Sequence, residues 1–125
     1  MRCRTVLCVD DDAAIRDFYG VLLGRNGYQV IAAVDGVHAL RVFHSRGTDI
    51  DAVILDYEMP GMSGLELAVL LKRHDPRLPI VMIAGWLPVA GELAPFVDAA
   101  MKKGVPISSI LSQLEHLLAS RPVMR

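Results

Sequence analysis

Apolar residues along this chain fall into short unbroken runs, separated by stretches in which they recur every three or four positions. Thr5 to Val9, Gln29 to Ala33, Ala52 to Asp56 and Ile80 to Ala84 each span five residues. Runs of this kind read as parallel strands buried on both faces. Between them, helical spacing appears in Ala13–Asn26 (Ile15, Phe18, Tyr19, Leu22), in Gly36–Ser45 (Ala39, Leu40, Phe43) and in Gly64–His74. Ile107–Ser120 carries a long apolar stripe through Ile107, Ile110, Leu111, Leu114, Leu117 and Leu118. Asp12 and Ser63 are placed as N-caps and Gly27 as a C-terminal stop. Pro76 and Pro79 close the loop after the third helix.

The stretch Gly85 to Pro106 breaks the pattern, because Pro88, Gly91 and Pro95 oppose a long regular helix. A short fifth strand is expected around Val97–Met101. The alternation predicts an α/β fold, a doubly wound five-stranded parallel sheet whose fourth helix is irregular or shortened. Ligands of such sheets bind beyond the carboxyl ends of the strands.

With 125 residues, the chain is long enough for one domain with a sizeable core. The expected core runs from about residue 4 to 120, and 121–125 reads as a tail or the start of a linker. No apolar run approaches the ~20 residues of a membrane span, and the basic start at Met1 to Arg4 leads into a run too short for a secretory signal. A net charge of −1 without a basic stripe argues against nucleic acid. Cys3 and Cys8 form no metal-ligand pair with the four scattered histidines, His38, His44, His74 and His116, which read as helix-surface residues. Cys8 sits inside a strand pattern, as a buried thiol would. A reducing, cytoplasmic setting fits.

Charge supplies the chemistry. Asp10, Asp11 and Asp12 follow the first strand, Asp56 ends the third, and Lys103 follows the fifth. In neighbouring parallel strands these groups reach one edge of the sheet. Carboxylates 4 Å apart repel by ~4 kcal/mol per pair at an effective dielectric of 20. A cation relieves that repulsion, and Mg²⁺ suits an all-oxygen site paired with phosphate chemistry.

Val9-Asp10-Asp11-Asp12, Asp35 to Leu40, Leu55 to Glu66 and Pro79 to Ile83 together resemble the response regulator receiver domain, with the run from Asp56 to Glu66 the most specific. The resemblance implies a flavodoxin-like (βα)5 fold and a phosphoacceptor role for Asp56, charged by a sensor histidine kinase or phosphotransfer protein. It implies Mg²⁺ held by Asp11, Asp56 and the backbone carbonyl of Glu58, with Asp10 acting through water. Lys103 would pair with a phosphoryl oxygen, assisted by the backbone of Tyr57 and Gly85. Such a domain signals to a downstream output domain or protein partner, and its only turnover is slow self-dephosphorylation. It touches neither nucleic acid nor membrane directly.

The chain departs from that pattern in its second half. Ala84 stands where the family usually has Ser or Thr, Ala100 where it has an aromatic or bulky switch residue, and Gly104 where proline follows the lysine. Phosphorylation chemistry is therefore expected to persist while output switching is atypical. Lys102 is the neighbour that takes the lysine's role if the strand register differs. Two other classes compete. A constitutive or vestigial docking module is favoured by Ala84 and Ala100 and opposed by the intact acidic residues. An aspartate-nucleophile phosphohydrolase is opposed by Glu58, which stands where such enzymes carry a second Asp, and by the lack of a cap domain. The bland readings are a helix-capping acidic run, a surface lysine at 103, and Tyr57, Glu58 and Trp86 as loop-surface residues.

Overall fold

The computed structural model describes residues 3–86 and 95–120. Strands β1 (Thr5–Val9), β2 (Gln29–Ala33), β3 (Ala52–Asp56), β4 (Ile80–Ala84) and β5 (Ala99–Lys102) form one parallel sheet in the order β2-β1-β3-β4-β5. Helices α1 (Ala13–Arg25), α2 (Gly36–Arg46), α3 (Gly64–His74) and α4 (Ile107–Ala119) cover it. The expected doubly wound architecture is observed. Among the described residues, no helix is long and apolar enough to cross a membrane.

Side-chain alternation along the strands sorts the core into two layers. Leu7, Val9, Val53, Leu55, Ile80 and Met82 face α2 and α3, packing on Ala39, Phe43, Leu67 and Leu71. Val6, Cys8, Ala52, Ile54, Val81 and Ile83 face α1 and α4, packing on Tyr19, Leu23, Ile110, Leu114 and Leu118. The central strands β1, β3 and β4 are buried along their whole length, which is why their sequences lack polar alternation. Full burial of each large aliphatic side chain stabilises the fold by ~1.5–3 kcal/mol. The α4 stripe divides as expected, with Ile110, Leu114 and Leu118 buried and Ile107, Leu111 and Leu117 packed along its edges. Helix α1 differs. Tyr19 and Leu23 carry its buried face, while Ile15 is 38% and Phe18 52% exposed.

Asp12 caps α1 by accepting from the N–H of Ala14 at 2.9 Å, and the chain leaves that helix through Gly27 at φ +89°. β5 begins at Ala99, two residues after the expected start at Val97. Asp98 is the cause. Its N–H donates to Ile80 O at 2.8 Å. Its Oδ2 accepts from Ile80 N and from Lys72 Nζ, both at 2.8 Å. A side chain thus substitutes for the first ladder bond, and Phe96 and Val97 turn down onto the α2/α3 layer. The irregular fourth helix expected after β4 falls on residues 87–94, outside the described residues, as does the tail at 121–125.

The loop from β3 into α3 is set by short-range chemistry. Ser63 and Glu66 form a capping box, with the Glu66 N–H donating to Ser63 Oγ at 3.2 Å and the Ser63 N–H to Glu66 Oε1 at 3.4 Å. Gly61 takes a φ of +79°, which a residue with a Cβ adopts only under strain. Gly64 packs directly on the end of β3. A Cβ there would meet the Asp56 carbonyl oxygen and lie 2.7 Å from Tyr57 Cα and 2.9 Å from Leu55 Cδ1.

Gly64→Ala is expected to destabilise the protein by ~1–3 kcal/mol, because rigid backbone must move to admit the methyl. Gly20→Ala, inside α1 with nothing within 4 Å of the added carbon, is expected to stabilise by ~0.5–1 kcal/mol through helix propensity. Urea unfolding midpoints measure both. Equal effects at the two sites would rule out the tight contact at Gly64.

Candidate metal centre

Strand register and alternation build the site. Val9 pairs with Leu55, so Asp10 and Asp56 sit next to one another at the carboxyl edge of the sheet. Each shares the parity of residues that face α1 and α4: Val6 and Cys8 before Asp10, Ala52 and Ile54 before Asp56. Both side chains are nearly enclosed, Asp10 at 8% and Asp56 at 3% exposure. Asp11 is exposed beside them. One carboxylate oxygen from each of Asp10, Asp11 and Asp56 lies within 4.8 Å of the other two. Three hard oxygen donors at that spacing fit a divalent cation such as Mg²⁺.

The acidic run divides its labour. Asp12 is a cap, and its own N–H donates to Asp10 Oδ1 at 2.9 Å. Arg16 Nη1 donates to the Asp10 carbonyl at 2.6 Å, fixing the turn between strand and helix. Lys103 follows Ala99 and Met101, which pack toward α1 and α4, and its Nζ lies 3.3 Å from Asp56 Oδ1. Its N–H donates to Ala84 O at 2.7 Å, which extends the ladder by one residue. Lys102, on the opposite parity, is exposed at the rim. The ammonium of Lys103 is half-exposed, so solvent weakens this pair relative to a fully buried one.

Titration behaviour follows from this crowding. Burial raises the Asp10 carboxyl above its ordinary value; the Asp12 N–H opposes this, Asp56 and Asp11 add to it, and Lys103 opposes it. Burial by itself would lower the Lys103 ammonium, but Asp56, through charge and hydrogen bond, with Asp10 and Glu58, holds it above its ordinary range. Cys8, on β1 two residues before Asp10, is pushed up to about 12 by burial and then by Asp10. It is an inert core thiol at neutral pH.

The backbone groups expected to meet a phosphoryl group are both engaged. The Tyr57 N–H donates to Ile83 O at 2.9 Å. The Gly85 N–H donates to Glu58 Oε1 at 3.2 Å. The Glu58 N–H donates to Asp56 Oδ1 at 3.2 Å, closing a turn of the Asp56 carboxylate onto its own loop. Ala84 is buried and brings only a methyl, and Ala100 is exposed on β5. Trp86 stands edge-on to Tyr57, with ring centroids 6.0 Å apart.

Sequence reasoning did not anticipate two features. Glu58 bridges two loops by its side chain, a contact that no local spacing announces. A cleft of about 730 Å³ opens from the carboxylates between α1 and α4, walled by Ile15, Phe18, Tyr19, Ile83 and Ile107. The exposure of Phe18 belongs to that wall. A helical wheel could not separate a cleft-lining position from a core position on the same stripe.

The family model described as the response regulator receiver domain matches residues 6–103. The chain is 34% identical over 116 residues to the response regulator MprA of Mycobacterium sp. (strain KMS), which covers 90% of this chain and 50% of MprA. It is 37% identical over 83 residues to the CAI-1 autoinducer sensor kinase/phosphatase CqsS of Vibrio cholerae, covering 66% of this chain and 12% of CqsS. The chain therefore spans half or less of these curated relatives. Among solved structures, it superposes on the response regulator TrrA of Thermotoga maritima in complex with Mg²⁺-BeF with a TM-score of 0.83 at 28% identity, covering 91% of this chain and 98% of TrrA.

A carboxyl whose folded-state pKa is raised binds its proton more tightly when folded. That contribution is complete below the unfolded-state value and is lost as pH rises through the folded-state one. Asp10 therefore opposes folding of the metal-free protein at neutral pH. In chelator, Asp10→Asn, which keeps the Oδ1 acceptor for the Asp12 N–H, is expected to melt above the parent at pH 7. The advantage is expected to shrink as pH falls through the raised carboxyl range. Thermal melts across pH measure it, and a gain that grows toward acid would contradict the crowded-carboxylate account. Saturating Mg²⁺ at about 100 times its dissociation constant is expected to stabilise the parent by ~2.7 kcal/mol at pH 7.

Proposed function

The chain belongs to the response regulator receiver domain family, and on that premise we propose that it is a cytoplasmic phosphoacceptor module that takes a phosphoryl group from a histidine kinase or phosphotransfer protein onto Asp56. The observation that carries the reading is the convergence of three carboxylate oxygens within 4.8 Å of one another, with Lys103 Nζ 3.3 Å from one oxygen of the acceptor. Mg²⁺ would be held by Asp11, Asp56 and the Glu58 backbone carbonyl, with Asp10 acting through water, and would supply the positive charge that lets a carboxylate approach an anionic phosphoryl group.

The residues of the chain do the rest. A carboxylate oxygen of Asp56 attacks phosphorus. The P–N bond of the donor phosphohistidine breaks, and its electron pair leaves with the imidazole, which retains or regains its proton. The lysine side chain, paired with Asp56 before transfer, shifts to an oxygen of the new phosphoryl group. A backbone N–H at Gly85 offers a second donor once Glu58 gives it up. Burial of Asp56 limits water at the acyl phosphate, so self-dephosphorylation is slow and the module signals rather than turns over substrate. Ala84 has no hydroxyl to follow the phosphoryl group. A hydrogen bond to a charged acceptor is worth about 1.5–3 kcal/mol, comparable to the few kcal/mol that separate two conformers of a switch. Output to a downstream domain or protein partner therefore runs through another contact.

Incubation with a small acyl phosphate and Mg²⁺ is expected to add one phosphoryl group by intact mass. Chelator or Asp56→Asn is expected to abolish it. A phosphoryl group that persists in Asp56→Asn would move the acceptor elsewhere. No uptake by the parent would favour a constitutive docking module, the reading to which Ala84 and Ala100 point.

A further inference from the structure

We propose that the loops after β3 and β4 are held together by a clamp, Glu58 on Gly85 and Tyr57 on Trp86, which a phosphoryl group on Asp56 opens by displacing the Glu58 carboxylate. The inference rests on Asp56 being the acceptor, as above.

Two consecutive residues after Asp56 contact two consecutive residues after Ala84. Glu58 Oε1 accepts the Gly85 N–H at 3.2 Å. The Tyr57 and Trp86 rings meet edge-on, at an interplanar angle of 69°, an arrangement that favours aromatic pairs. These contacts lie at the mouth of the site, because Glu58 also lines the cleft with Asp10, Asp56 and Lys103. Its carboxylate acts on the Lys103 ammonium together with Asp56 and Asp10. Glu58 thus holds the backbone donor and shares the cation that an incoming phosphoryl group would use. It is an internal anion in a place where a second anion arrives.

A phosphoryl group on Asp56 and the Glu58 carboxylate are both drawn to the Gly85 N–H and the Lys103 ammonium, and like charges competing for the same donors repel. The phosphoryl group is covalently fixed, whereas Glu58 is an exposed side chain held at its tip by one hydrogen bond, so Glu58 is the one that moves. Gly85 carries no side chain to hold the loop once its N–H changes partner. The bond to Glu58 and the ring contact with Tyr57 then no longer act together on Gly85-Trp86. This gives the chain a moving part where Ala84 lacks the hydroxyl. Glu58 is a positioning residue here, acting on the β4 loop through Gly85.

Trp86 is the only tryptophan of the chain, so intrinsic fluorescence reads the clamp directly. Parent, Glu58→Ala and Glu58→Gln are compared with and without Mg²⁺ and beryllofluoride, a phosphoryl mimic, and intact mass after acyl phosphate treatment is recorded in parallel. Mimic binding is expected to shift the Trp86 emission of the parent. Glu58→Ala is expected to start shifted toward the mimic-bound emission, to respond less, and to saturate at several-fold lower mimic. Glu58→Gln, which keeps the Oε1 acceptor but not the charge, is expected to start like the parent and saturate between the two. Unshifted starting emission in Glu58→Ala, or phosphoryl uptake by the parent with no change in Trp86 emission, would overturn the clamp. Absence of phosphoryl uptake in the parent would instead overturn the acceptor assignment, while the mimic-free comparison still reads the clamp.

Discussion

Three carboxylates share the carboxyl edge of the sheet because the strands beneath them have nowhere else to go. Val6, Cys8, Ala52 and Ile54 are buried against α1 and α4, and alternation commits Asp10 and Asp56 to the same face. Sliding either strand by one residue would relieve the repulsion but turn its whole apolar set over. The hydrophobic layers hold the acidic residues in a geometry that electrostatics alone would disperse. That tension gives the site its affinity for positive charge. Lys103, brought in by β5, supplies one unit of it 3.3 Å from Asp56 Oδ1.

The same constraint explains the loop that follows Asp56. Gly64 must lack a side chain because α3 starts against the backbone of Asp56 and Tyr57. Ser63 and Glu66 reciprocally satisfy donors at the helix start, and Met62 packs against the α2/α3 layer beside Gly36. What reads in sequence as a signature is, in three dimensions, a short path from Asp56 to α3, set by Gly61, the capping box and Gly64.

The two halves of the sheet edge differ in how they are held. Around β1 and β3, backbone and side-chain bonds fix Asp10, Asp12 and Asp56. Around β4 and β5, Ala84 and Ala100 bring methyl groups where hydroxyl and aromatic side chains would link site to surface. The Glu58–Gly85 bond and the Tyr57–Trp86 contact join the two halves beside Asp56, together with the Lys103–Asp56 pair and the Tyr57 N–H bond to Ile83 O.

Much of this was legible before any coordinates. The five-residue apolar runs marked β1 to β4, the caps Asp12 and Ser63 marked helix starts, and the acidic residues at strand ends marked the site. These are local signals, in which burial period, turn chemistry and charge are written in neighbouring residues. β5 was misplaced by two residues, because the bond that delays it comes from the Asp98 side chain to Ile80, eighteen positions away. The outward turn of Phe18 and Ile15 depended on where α4 settles against α1. The reach of Glu58 to Gly85 depended on the lateral order of β3 and β4. The sequence by itself determined strands β1 to β4, helices α1 to α4 and the identity of the charged residues, since each follows from nearest neighbours. Only the tertiary structure decided which of those residues share a bond, because such contacts join positions that the chain keeps far apart and the sheet brings side by side.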